Sequence, residues 1–393
     1  MANRKKTTYP TLPATATALS KLTQLHIVSF DNPYPPNYGG VIDVYYKIKA
    51  LHEAGIKITL HAFEYGRPPA TELNRLCEQV IYYPRRSFVN PFIGKLPYIV
   101  NTRNSDALLY NLKQNEAPIL FEGLHTCFFL NHPDLKNRLK MVRMHNIEHD
   151  YYANLQEVEN NIFKKIFFRR EAARLKVFED VLHHAQLIFA ISENDKTYLE
   201  KLYKQVHHIT AFHSNDWVTA QPGTGNFACY HGKLSVGEND EAARFLAASV
   251  FTKTDFPLQI AGDKPSRELK KACAMRTNIS LFEQLNSEQI SQKIQDAQIN
   301  VLPTFQATGI KLKLINVLFQ GRHVVVNKPM VANTGLEELC HVAEHATDFV
   351  EIIEALRNKP FTREEVQKRE TVLMERFSNA QHARRLIGLA EGY

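Results

Sequence analysis

Residues 300–336 read NVLPTFQATGIKLKLINVLFQGRHVVVNKPMVANTGL, and their order decides the fold. Asn300 to Leu302 close a short apolar run, Pro303 to Thr308 have the character of a loop, and from Gly309 the residues Ile310, Leu314, Val317 and Leu318 recur at helical spacing. Gly321 stands where that helix should stop, and the β-branched run from His323 to Asn327 predicts a second strand. Such a βαβ unit puts its loop at the carboxyl end of a strand, where open α/β sheets bind ligands. Lys311 and Lys313 fall in the expected first helical turn, where the helix dipole disfavours cations. A bound anion removes that conflict, so Gly309, Lys311 and Lys313 form a candidate anion site; the competing reading is two solvated lysines.

The chain has 393 residues, 44% apolar and 23% charged, enough for two domains of ordinary size. No run approaches the roughly 18 uninterrupted apolar residues of a membrane span. Residues 1–20, MANRKKTTYPTLPATATALS, carry a basic cluster without the apolar centre of a secretory signal, so a disordered leader on a cytoplasmic protein is expected. Cys77, Cys127, Cys229, Cys273 and Cys340 are odd in number and share no CxxC spacing, which argues against a disulfide framework or a zinc site. The net charge of +7 lies wholly in the first half: residues 1–213 hold 27 Lys+Arg against 20 Asp+Glu, and residues 214–393 hold 21 of each. That asymmetry suits an anionic membrane surface or an anionic acceptor. No RNA-binding signature or zinc-finger spacing is present, so nucleic acid is not an expected partner.

Outward from the opening stretch the same alternation repeats. Leu25 to Phe30 predicts a strand, DNPYPPNYGG brings Gly39 and Gly40 to a helix over about Val41 to Ala54, and Ile56 to Phe63 resumes as a strand. Ala117 to Phe121 and Leu139 to Met144 predict buried strands followed by Glu122, Gly123 and His125, and by His145, Asn146 and Glu148, which should share one rim. One long helix is expected from about Glu157 to Ala185, with Ile162, Ile166 and Phe167 inward and Lys164, Lys165, Arg169, Arg170 and Arg174 outward. Such a basic face is either solvated or laid against anionic headgroups. Leu187 to Ile191 predicts the last strand of this half, with a helix after Ser192. HSNDWVTAQPGTGN, residues 213–226, is the expected linker. Five short strands alternating with helices follow it, and the chain is helical beyond Asp348.

PYPPNYGG, RMHNIEHDYY, AISENDKTYL, YHGKLSVGENDEAARFL, LQIAGDKP and the 300–326 stretch, in that order, resemble the GT-B glycosyltransferases, specifically the retaining, nucleotide-sugar-dependent family 4. The resemblance covers the chain from about Leu25. It implies an α/β protein of two doubly wound Rossmann-like domains facing a cleft: residues 21–213 on the acceptor side, 226–376 for the nucleotide sugar, and a helix in 377–393 crossing back to the first. Gly39 and Gly40 match the family's amino-terminal glycine loop, and His145 matches the histidine that contacts the sugar near its reacting carbon. Gly232 and Lys233 stand where the family often has an arginine for the diphosphate, whereas the second basic position falls near Glu238 or Asn239. Gly262, Gly309, Lys311 and Lys313 complete the implied donor side. The family's two glutamates seven residues apart are replaced by Thr308 and Asn316, of which Asn316 can still accept a ribose hydroxyl through its carbonyl oxygen. Glu122, His125 and Glu148 fall on the acceptor side.

The implied partners are a nucleotide-sugar donor and a glycan or lipid-linked acceptor. No metal or other cofactor is implied, because lysines, backbone N–H groups and a helix N-terminus can stabilise a departing diphosphate. Glu122, Glu148 or Asp150 is the candidate base. The reading from a different class is a non-catalytic GT-B protein that binds glycan or a partner enzyme.

Overall fold

Short apolar runs buried on both faces form the strands, as the parallel-sheet reading requires. The computed structural model describes residues 21–86, 88–305 and 311–393; the expected leader, Thr308 and Gly309 lie outside them. The first sheet comprises β1 (Gln24–Ser29), β2 (Lys57–Glu64), β3 (Gln79–Pro84), β4 (Ile119–Glu122), β5 (Lys140–Met144), β6 (Leu187–Ala190) and β7 (Val206–His208), in the order β3-β2-β1-β4-β5-β6-β7. The second comprises β8 (Ala228–His231), β9 (Leu258–Ala261), β10 (Ile279–Phe282), β11 (Ile299–Leu302), β12 (His323–Asn327) and β13 (His341–Ala343), in the order β10-β9-β8-β11-β12-β13. Every pairing is parallel. β13, a three-residue edge strand, is too short to show in the periodicity.

Two core clusters line the two faces of the first sheet and a third fills the second domain. The C-terminal helix, Asn379–Glu391, does cross back. Its Ala383, Leu386, Ile387 and Ala390 pack with Val44, Ile48 and Leu51 of the Gly39–Glu53 helix. Asn379 fixes its start, donating from Nδ2 to the His213 carbonyl at 2.7 Å while its Oδ1 accepts from His213 N at 3.1 Å.

Two expectations are corrected. The single helix over Glu157 to Ala185 is two, Glu148–Val158 and Ile162–Phe178, followed by a 3-10 turn at Glu179–His184. Glu159, Asn160 and Asn161 break it because the Glu159 carboxylate accepts from Asn160 and Asn161 N, and Asn161 caps the second helix by accepting from Phe163 and Lys164 N. With that break, Ile162 and Ile166 do not point inward but are 61% and 45% exposed. In the opening stretch the helix runs over Leu312–Gln320, so Lys311 caps it in a non-helical conformation and only Lys313 lies in the first turn.

Leu386 has no exposed surface, whereas Arg384 on the same helix faces solvent. Leu386→Ala should cost about 2–5 kcal/mol in chemical denaturation, while Arg384→Ala should leave the transition within about 0.5 kcal/mol of its place.

Candidate functional site

In each sheet the strand order reverses once, between β1 and β4 and between β8 and β11, and an open sheet splays its strand ends apart at such a point. The charged residues of this chain converge on both places. In the first domain, Glu122 ends β4, its sheet partner is Arg143 of β5, and His145 follows two residues later on the same face. Opposite them, Asp43 and Lys47 lie one turn apart on the Gly39–Glu53 helix.

The Lys47 ammonium is shared between Asp43 Oδ2 at 2.8 Å and Glu122, whose two oxygens are 2.8 and 2.9 Å away. Arg143 holds Asp43 through two nitrogens at 2.9 and 3.2 Å and donates to the carbonyls of Ile209 and Thr210. Burial opposes the charge on Asp43, yet Arg143 and Lys47 keep its carboxyl well below the usual carboxylate range. Asp43, Glu122 and His145 are spaced so that they could ligate a metal ion. Lys47 already supplies the cation that a metal would bring, so the two carboxylates are neutralised by Lys47 and Arg143.

Glu122 Oε2 lies 2.9 Å from His145 Nε2. A carboxylate accepts only, so in the neutral imidazole the proton sits on Nε2 and Nδ1 is left as an acceptor. Among the described residues buried Nδ1 has no hydrogen-bond partner. The ring is held from its other side by Phe30, edge-on at 5.3 Å. Gly40 makes room for that contact, since a Cβ there would fall 2.6 Å from the Phe30 ring.

Elsewhere on the first domain's rim, Glu148 Oε1 and His125 Nδ1 are 3.7 Å apart, and neither atom has a hydrogen-bond partner among the described residues. Gly123, at φ +72°, brings this turn close: a Cβ on it would lie 2.9 Å from His125 Nδ1. Burial pushes the Glu148 carboxyl up to about 8, against the Arg103 guanidinium, and pushes His125 well below its ordinary value. At neutral pH the pair is a carboxylic acid beside a neutral imidazole. Of the three candidate bases, Glu148 is therefore protonated and Glu122 is committed to Lys47 and His145. Asp150 lines the cleft with its carboxylate 66% exposed, 3.3 Å from His149.

In the second domain, Lys313 reaches across the end of β8. Its Nζ donates to Asn239 Oδ1 at 2.7 Å, lies over the Tyr230 ring, and sits 3.0 Å from where a Gly232 side chain would begin. A Cβ on Gly262 would strike the Gly232 carbonyl, so the two loops touch backbone to backbone. The sequence lacks a second basic residue near Glu238 and Asn239, and Lys313 brings an ammonium to that place from another strand end. Burial lowers its amine to about 8 despite the opposing charge of Glu238, and lowers Lys311 in the same way. Lys233 points its side chain to solvent. Asn316 Oδ1 already accepts from Asn215 Nδ2 at 3.1 Å and Gln320 Nε2 at 2.7 Å.

A cleft of about 460 Å³ runs between the domains, with His145, Asp150 and Tyr151 on one wall and Lys311, Ile315 and Asn333 on the other. Of the residues expected from sequence it is lined by His145, Asn146, Asp150 and Lys311. Glu122 supports it through His145, and Gly232, Gly262 and Lys313 form a separate group behind Lys311. Gly39, Gly40, His125 and Glu148 lie outside its lining. Ser192, Asp195, His208 and Thr210 line it and were missed, because polar residues at strand ends and helix starts carry no periodicity.

Two parallel α/β sheets facing one cleft, each with the order 3-2-1-4-5-6 at its centre and with the last helix returning to the first domain, settle the architecture. The fold is GT-B. Solved structures agree over nearly the whole chain. A glycosyltransferase from Rickettsia africae superposes with a TM-score of 0.62 at 13% identity, covering 95% of this chain and 98% of that one. An S. aureus TarM variant bound to fondaparinux, α-GlcNAc-glycerol and UDP gives 0.62 at 11%, covering 94% and 99%. Acinetobacter baumannii MurG gives 0.52 at 11%, covering 94% and 100%. In sequence the chain is 27% identical over 325 residues to an uncharacterised 44.6 kDa protein in the cps region of Klebsiella pneumoniae, covering 77% of this chain and 82% of that one. No protein-family profile matches it.

Two pH dependences follow from this GT-B site. With its folded value raised to about 8, Glu148 binds a proton in the native state that the unfolded chain has lost, so it subtracts stability as pH rises from about 4.5 to 8, by at most about 1.4 kcal/mol per unit. The melting temperature of Glu148→Gln should therefore gain on wild type over that window and run parallel to it below. Lys313, lowered to about 8, is mostly ammonium at pH 7 and mostly neutral at pH 9. Calorimetry with pyrophosphate should show affinity falling about tenfold across that interval relative to Lys313→Arg, whose guanidinium stays charged.

Proposed function

We propose that the protein is a glycosyltransferase, a cytoplasmic and membrane-peripheral hexosyltransferase. It moves a sugar from a nucleotide-sugar donor to a hydroxyl of a glycan or lipid-linked acceptor, with retention as family 4 resemblance implies. The observation that carries the reading is the confrontation across one cleft of His145 with the lysine-bearing helix start of the second domain. Lys311 on the cleft wall, with Lys313 close by, suits the charge of a departing diphosphate, since preorganised cations act where charge develops. Glu122 fixes the direction of the His145 ring, which lines the cleft and suits contact with the donor sugar. The S. aureus TarM variant, whose ligands include UDP and a sugar-bearing glycerol, is a precedent on the same fold.

The non-catalytic reading has one observation in its favour. Asn316 is neutral and its oxygen is already occupied by two amides, so the nucleoside has a weak hold there. Donor affinity should then rest on the diphosphate. Lys313→Ala should weaken a nucleoside diphosphate and pyrophosphate alike, by about 10- to 100-fold for the loss of one charge-assisted contact of about 1.5–3 kcal/mol. His145→Ala should lower turnover far more than donor affinity. A thermal-shift panel of nucleoside diphosphates and nucleotide sugars on the wild type decides between the readings: no stabilisation at millimolar concentration by any member leaves the non-catalytic binder.

A further inference from the structure

The helix Ile162–Phe178 begins with Ile162, Phe163 and Ile166 exposed by 61%, 73% and 45%, an arrangement that solvation alone does not favour. A loop extends the apolar surface. Phe92 and Ile93 are 42% and 68% exposed, and the loop is fastened to the helix by Arg174, which donates to the Pro91 carbonyl at 2.6 Å, and by the Phe92 ring against Phe167. Cations frame the patch. Lys164, Arg169 and Arg170 are exposed and Lys165 is half-buried.

Among the described residues the helix Ile162–Phe178 exposes no carboxylate. The one carboxylate within the helix, Glu171, is buried and accepts from the backbone N–H groups of Tyr98 and Ile99 at 2.9 Å. Before the helix, Glu159 stands 3.8 Å from Lys164, and Glu157 is exposed at the end of the preceding helix. Apolar side chains at the level of a cationic rim match the interface of a bilayer, where the former enter the acyl boundary and the latter meet anionic headgroups. A second copy of the chain fits poorly, because a two-fold contact would set like charges against each other.

We propose that this patch docks the protein on an anionic lipid bilayer. The preceding helix, Glu148–Val158, packs against the docking helix and contributes Asp150, Tyr151 and Asn154 to the cleft, so docking brings the cleft's first-domain wall to the membrane. Resting on the sugar-transfer reading, it follows that the acceptor is lipid-linked rather than a free glycan. The docking itself does not depend on that reading.

Flotation of the purified full chain with phosphatidylcholine vesicles, with and without phosphatidylglycerol, tests it. Binding should need the anionic lipid and fall steeply as salt rises. The double variant Phe163→Ser, Ile93→Ser should bind at least about tenfold less, as should Lys165→Glu with Arg169→Glu. Both should keep the wild-type melting temperature and pyrophosphate affinity, which shows that fold and donor site are intact. No flotation of the wild type, or equal flotation of the variants, overturns the proposal. So does a wild-type dimer on size exclusion that the serine variant disperses. Loss of pyrophosphate binding in the wild type would count against the sugar-transfer reading and leave the docking result standing.

Discussion

One ammonium group holds the first domain's rim together. Lys47, with no exposed surface, lies between Asp43 and Glu122, which are equally buried, and each carboxylate has a second task. Asp43 holds Arg143 and accepts from Phe212 N, tying the Gly39–Glu53 helix to β5 and to the chain leaving β7. Glu122 holds His145. Removing one member of such a buried network leaves an uncompensated charge, at a cost of about 3–5 kcal/mol. The network thus specifies where the imidazole points more than it stabilises the fold, because apolar residues of the same volume could fill the space with less desolvation.

The second domain meets the same requirement differently. Among the described residues its strand ends carry no buried carboxylate–lysine core like that of Lys47. Lys313 is held by a neutral amide and an aromatic face, with Glu238 close enough only to moderate the effect of burial. The first rim's cations are matched by buried carboxylates, whereas the hydrogen bond and ring contact that hold Lys313 come from uncharged groups.

The fold was legible because parallel strands buried on both faces read as apolar runs, and the glycines after β1 and β8 marked the turns. The rim was half legible. His145 follows LKMVRM, where an arginine inside a buried strand already signals a partner on a neighbouring element, and Asp43 and Lys47 are spaced one helical turn apart. What sequence could not supply was the pairing across elements: that Glu122 belongs to Lys47 and His145, or that Lys313 reaches Gly232. The break at Glu159 to Asn161 was missed because its cause is side-chain capping, which leaves the apolar spacing on either side unaltered.

The charge asymmetry between the halves also changes meaning in three dimensions. Arg103, Arg138 and Lys140 belong to the basic half, yet all are buried and spend their donors on backbone carbonyls: Arg103 on Phe30 and Ile99, Arg138 on Leu112 and Ala117, Lys140 on Leu130. Their charge is structural, and burial lowers the proton affinity of each. The excess of seven positive charges in the composition is therefore not all available to a partner. What matters for an anionic surface is where the solvated cations lie in relation to apolar groups. Lys164, Arg169 and Arg170 share a helix with the exposed Ile162 and Phe163, so a weak compositional signal becomes a localised one.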